Sequence, residues 1–242
     1  MKSVLFSASA LVVALALLKS SAEAVPTHHD SEKRAISSIV TGTPIGFASA
    51  TTGGGSAAVV YPTTIEELTA YLTSDEPQNI EISGTFNFQG SEGSTVLAAC
   101  NAYSCTPSEG GQALLNTLGG CGSTSTYDVE IDTAAYKAIR VTSNKTLVGK
   151  NNAVLYGKGL YLSGVSNIII QNIAITNLNP AYVWGGDAIA LTDTENVWID
   201  HVTVSQYREC NGTVRLIYLT DFIPRPTALF FWNRCKLWNH HL

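Results

Sequence analysis

Ser166-Asn167-Ile168-Ile169-Ile170-Gln171-Asn172-Ile173-Ala174-Ile175 and Glu195-Asn196-Val197-Trp198-Ile199-Asp200-His201-Val202-Thr203-Val204 are one pattern written twice. Asn167 recurs as Asn196, Ile170 as Ile199, Ile173 as Val202 and Ile175 as Val204, at one constant offset. A fainter copy, Ser143-Asn144-Lys145-Thr146-Leu147-Val148, stands upstream, with Asn144 in the place of Asn167. Self-similarity at a period of roughly 20–30 residues points to a stacked repeat. β-Branched residues alternating with others make each unit a strand. The reading is an all-β fold, a right-handed parallel β-helix whose rungs begin near Ala138. Ala181-Tyr182-Val183-Trp184-Gly185-Gly186-Asp187-Ala188-Ile189, between the two good copies, is the expected place of chemistry.

Upstream, Thr64 to Thr73 reads as a short helix. Ile65, Leu68, Tyr71 and Leu72 share one face, Thr63 and Glu66 match a capping box, and Pro77 is the expected stop. A β-helix has an open apolar end, which such a helix can close. Ile80 to Phe88 alternates as a first strand, bent at Gly84. Gly90 to Asp128 shows no period and holds three cysteines. It is long for a loop, so it is functional or a disulfide-pinned excursion. After Val204 the rung pattern fails.

Charged residues make up 14% of the 242-residue chain, and the net charge is −5. The basic residues are few and scattered, so no nucleic-acid partner is expected. Lys2, the apolar run Leu11–Leu18 and Ala22-Glu23-Ala24 read as a secretory signal over residues 1–24. The run is too short to span a membrane. Residues 25–40 read as a linker or short pro-segment with a dibasic Lys33-Arg34, 41–206 as the repeat domain, and 207–242 as an atypical tail. The protein is expected outside the cell, as a monomer, without a membrane partner. Five cysteines then imply disulfides with one thiol left over. Asn144-Lys145-Thr146 and Asn211-Gly212-Thr213 are glycosylation sequons. Asn144 also fits a turn position where its side chain would be buried.

Val40-Thr41-Gly42-Thr43-Pro44-Ile45-Gly46-Phe47-Ala48, Thr52-Gly53-Gly54-Gly55, Tyr182-Val183-Trp184-Gly185-Gly186-Asp187-Ala188-Ile189 and Val197-Trp198-Ile199-Asp200-His201 together resemble the pectin lyases. These are fungal and oomycete members of the polysaccharide lyase family that also holds the pectate lyases. The resemblance runs from about Val40 to Ser205 and implies the same β-helix. It implies β-elimination on methyl-esterified polygalacturonate, with no cofactor and no metal. An arginine takes the place that calcium holds in pectate lyases, and a further arginine acts as the base. Asp187 matches the site aspartate, and Trp184 a cleft aromatic on which a sugar can stack, with Tyr182 beside it. Asp200 and His201 are read as structural. The resemblance places a site arginine where this chain has Glu209, with Arg208 next to it. A one-residue slip turns a strand side chain to the other face. The base arginine and a companion lysine match nothing before residue 207. The resemblance pairs Cys105 with a cysteine on those same later rungs, which leaves Cys100–Cys121 as the expected bridge and Cys210 and Cys235 unassigned. The tail matches no part of the family, so a truncated or frameshifted product with little activity is expected.

Three other readings compete with this one. An inactive pectin-binding β-helix would hold pectin without forming unsaturated ends. A calcium pectate lyase needs more carboxylates near Asp187 than Asp193, Glu195 and Asp200 supply. A purely structural β-helix has no use for the Trp-Gly-Gly-Asp segment. Without residues 1–24 the net charge is −6, which repels polygalacturonate but not its neutral ester.

Overall fold

The computed structural model describes residues 35–103 and 106–206. The chain opens with β1 (Val59–Val60), α1 (Ile65–Thr73) and β2 (Gln78–Asn87). An excursion follows: β3 (Ser94–Cys100), β4 (Ala113–Leu115), β5 (Tyr127–Asp132) and the one-turn helix α2 (Thr133–Tyr136). The turns of the β-helix come next. They are built from β6 (Ile139–Val141), β7 (Lys145–Tyr156), β8 (Leu160–Ser163), β9 (Ser166–Gln171) and β10 (Ala174–Thr176). After the short β11 (Tyr182–Val183) come β12 (Ile189–Thr192), β13 (Glu195–Asp200) and β14 (Thr203–Ser205).

All strands of the turns pair in parallel, and the register is the one the repeats dictate. Val197 sits beside Ile168 and Ile199 beside Ile170, as the two good copies align. Lys145 sits beside Ile168, as the fainter copy aligns with the first. The result is a right-handed parallel β-helix. Ile80, Leu147, Ile170 and Ile199 line one inner row, all under a tenth exposed, and Leu160, Leu162, Ile189 and Leu191 line another. The repeat predicts Val202 buried like its counterpart Ile173, but it is only partly so.

Each turn needs a residue in the left-handed region, which Asn tolerates better than other side chains. Asn144, Asn167 and Asn196 occupy it at φ 60°, 62° and 53°. The Asn167 amide donates to Asn144 Oδ1 at 2.8 Å, so the Asn144 side chain stands in a ladder. Thr146 of its sequon is fully buried and accepts from Gly54 N–H. The Thr41–Tyr61 segment, which has no period, lies along this ladder. Thr52 and Gly53 N–H donate to Asn167 Oδ1, and Thr41 N–H donates to Gln171 Oε1. Only glycine fits at 54, because a Cβ there would stand 2.3 Å from the Gln78 carbonyl oxygen. Ile36 and Val40, read as linker, pack against Ala48, Ile169 and Trp198, so the packed fold begins before residue 41.

α1 closes the first turn through Leu68 and Leu72, with Ile65 and Tyr71 at the margin of the same core. Its cap is one residue later than the sequence pattern indicates. Thr64 accepts from Glu67 N–H, and the Glu67 carboxylate accepts from Thr63 N–H and hydroxyl. That pair of bonds, the backbone one first, holds the Glu67 carboxyl below its ordinary range. The helix stops at Ser74, well before Pro77. Its end is received by the β-helix: Thr142 N–H donates to the Leu72 carbonyl, and the buried Lys145 ammonium donates to the carbonyls of Ser74, Glu76 and Ser143.

The aperiodic 90–128 region is not a bare loop. β3 runs antiparallel to β4 and β5, forming a separate sheet to which β11 adds in parallel. A Cys100–Cys121 disulfide pins it. Cys105, Cys210, Cys235, the signal segment and the 207–242 tail lie outside the described residues. Among the described residues no helix is long and apolar enough to cross a membrane.

Candidate functional site

The site grows from a difference in turn length. Val154 pairs with Ala174, and Ala174 pairs in turn with Thr203, so the second of these turns is the longer. The strands keep step, so the extra residues must leave the stack. They do so in one place. Residues 157–159 alone join β7 to β8, whereas 177–188 lie between β10 and β12. The longer connection carries Tyr182, Trp184 and Asp187.

This loop is held at both ends. The Asn179 amide donates to the carbonyls of Asp132 and Gly185, while its oxygen accepts from Asp132 N–H. Gln112 Nε2 donates to the Pro180 carbonyl, and Ala113 N–H to the Ala181 carbonyl. At the far end the Asp187 carbonyl lies against Gly159, where a Cβ would come within 1.9 Å of its oxygen. Any other residue at 159 would push the Asp187 backbone away.

Asp187, exposed, lines a cleft of about 650 Å³ whose floor is the outer face of β6, β8 and β12. Arg140, Tyr161 and Ala190 lie side by side in register there, between inward-facing neighbours. Thr69 and Thr73 of α1, Tyr136 and Lys137 form the side walls. The Arg140 guanidinium lies over the Tyr161 ring, 5.0 Å from its centre. Hydrogen bonds with Ser163 and then Thr192 lower the Tyr161 phenol's pKa; burial opposes this, and the Arg140 charge adds to it. Lys158, 4% exposed, reaches into the cleft wall and is paired with Glu92.

Tyr182 and Trp184 are not among the residues lining this cleft. Tyr182 pairs with Ala113 and packs on Ala99, Leu115 and Ile131 of the excursion. Trp184 is 40% exposed with φ +66°, and its ring rests on Gly120 in the disulfide-closed segment. Trp184 and Asp187 thus stand in two settings, close together along the chain. Asp200 sits in the turn ladder, accepting from Gln171 Nε2 at 2.9 Å and paired with His201 at 2.7 Å. Arg208 and Asn211 lie outside the described residues. Among the described residues no three of His, Cys, Asp and Glu are grouped as a metal would need.

Arg140, Tyr161, Lys158, Glu92 and Asn179 escaped the sequence reading. Arg140 and Tyr161 carry a usable signal: each is the lone outward residue of a short apolar run. Lys158 stands between two glycines and gives no periodic cue.

The Pectate lyase family's sequence profile matches residues 32–214. The chain is 66% identical over 179 residues to "Probable pectin lyase E" of Aspergillus niger, covering 74% of this chain and 48% of that protein. It is 48% identical over 173 residues to "Pectin lyase D" of Aspergillus niger, covering 69% and 46%. The chain thus spans about half the length of these curated relatives. Among solved structures, a mutant Bacillus subtilis pectate lyase aligns with TM-score 0.44 and 19% identity, over 68% of this chain and 49% of that one.

Proposed function

The chain belongs to the pectate lyase family, and from that premise we propose that it serves β-eliminative cleavage of methyl-esterified polygalacturonan outside the cell. The observation that carries this reading is the 66% identity to a protein named as a pectin lyase, over 74% of this chain. The basic cleft supports it. Lys137, Arg140 and Lys158 stand there with Glu92 and Asp187, and a neutral ester meets no net repulsion. The amino-terminal signal pattern supports the extracellular setting.

In the reaction a base removes the C5 proton beside the ester. The electron pair spreads onto the ester carbonyl, then forms the C4–C5 double bond as the C4–oxygen bond breaks, and the leaving oxygen takes up a proton. Catalysis of this kind needs a placed base and positive charge or donors at the carbonyl oxygen. Asp187 is assigned to orienting a cationic or hydroxyl group against the sugar, and Trp184 and Tyr182 to contact with neighbouring sugars. The base is assigned to no described residue; Arg208 is the next arginine after Asp187 in sequence.

The test is ultraviolet absorbance of the unsaturated uronide. The chain is mixed with highly methylated pectin, and separately with polygalacturonate with and without calcium. Absorbance growing on methylated pectin without calcium supports the proposal. Growth only on polygalacturonate with calcium overturns the substrate. Binding without absorbance overturns the enzymatic reading in favour of a pectin-holding protein.

A further inference from the structure

We propose that Arg140, held over Tyr161 in the cleft that Asp187 also lines, binds the free carboxylate of an unesterified uronate unit within an otherwise esterified chain. The inference rests on the polyuronide reading above and adds to it a charged subsite.

Binding a neutral ester chain asks for aromatic surface and hydrogen-bond donors, whereas a fixed cation away from the reacting carbonyl gains most from an anionic partner. The cleft floor is arranged differently. Its one central aromatic, Tyr161, is covered by a guanidinium rather than left bare for a sugar. A guanidinium attracted to a ring face by its charge keeps its N–H groups for other partners. Those groups form the fork that matches a carboxylate with two parallel hydrogen bonds.

Asp187 lines the same cleft and adds one exposed carboxylate. Lys158 is buried and committed to Glu92, so this pair adds no net charge to the cleft. Lys137 is exposed on the wall and adds a second cation. Among the described residues no carboxylate stands within ion-pair distance of Arg140. With Asp187 counted, the cleft keeps one excess positive charge in a chain whose net charge is −5. Register makes the arrangement rigid, since Arg140 and Tyr161 are direct neighbours on paired strands.

The experiment is calorimetric titration with two oligouronides of equal length, one fully methyl-esterified and one with free carboxylates. It uses low salt and a chelator, with the wild type, Arg140→Gln and Arg140→Lys. The wild type should bind the acid form. Arg140→Gln should weaken that binding about tenfold, the equivalent of one charge-assisted pair, and leave the ester form within about twofold. Arg140→Lys, which keeps the charge but loses the fork, should fall between them. Unchanged acid binding in Arg140→Gln, or equal loss for both ligands, overturns the proposal. A wild type that binds only the ester overturns it and leaves the proposed function standing. A wild type that binds neither ligand overturns both.

Discussion

A lysine ammonium cannot be sealed from water without acceptors, and Lys145 has the carbonyls of Ser74, Glu76 and Ser143 to hold it. Burial pushes its pKa below the ordinary lysine value, while Asp75 and Glu76 pull the other way. The folded state therefore releases this proton at lower pH than the unfolded chain does. Between the two pKa values the unfolded chain holds more protons, so stability from this group rises with pH in the alkaline range. Lys145→Met should cost about 3 kcal/mol at neutral pH, because the carbonyls around it lose their donor. The gap between wild type and variant, read from urea midpoints, should widen as pH rises toward the free lysine value. Asp187 is the opposite kind of residue, exposed and on a loop. Asp187→Ala should change stability, read from the urea midpoint, by less than about 1 kcal/mol. It should lower the rate of unsaturated uronide formation about a hundredfold or more. A large loss of stability with the rate preserved would make Asp187 a turn residue only. Legibility in sequence divides the same way. The Asn of each turn shows at once, because one amide must sit at positive φ. Lys145 does not, because two of its acceptors come from beyond the end of α1, far upstream in the chain.

Among the elements, α1 is readable because its apolar face follows the helical period, although its cap falls one residue from the obvious box. The excursion is not readable. β3 is half exposed, rich in Ser, Thr and Ala, and pairs antiparallel with strands well removed in sequence, so it has neither a strong period nor a repeat partner. Its disulfide joins cysteines 21 positions apart, a closure that theory values at about 3 kcal/mol. Replacing Cys100 and Cys121 together with Ser should raise hydrogen exchange in β3 to β5 and in the Trp184 loop that leans on them. β7, β9 and β13 should keep their protection. Uniform loss across all strands would show that the excursion is not a separate unit.

Taken whole, the molecule is a stack in which each turn touches mainly its neighbours, so a fault should spread along the stack rather than stay put. Ile170 lies between Leu147 and Ile199. Ile170→Ala should cost about 2–5 kcal/mol and speed exchange in both β7 and β13 more than in β3 and β5. Exchange changed in β9 alone would contradict this. The stacked core was legible because register repeats residue types at fixed offsets. The cleft was not, because its floor draws Arg140, Tyr161 and Ala190 from three separate turns, and nothing in the spacing marks outward residues as belonging together. The growth from the short 157–159 connection to the long 177–188 one carries a further consequence. Strand spacing and loop length are set independently, so a lineage can insert or delete residues between the buried Leu178 and Ala188 without shifting the inward side chains of the strands. Substrate preference in such a scaffold is free to diversify by changes in length while the stack is inherited intact.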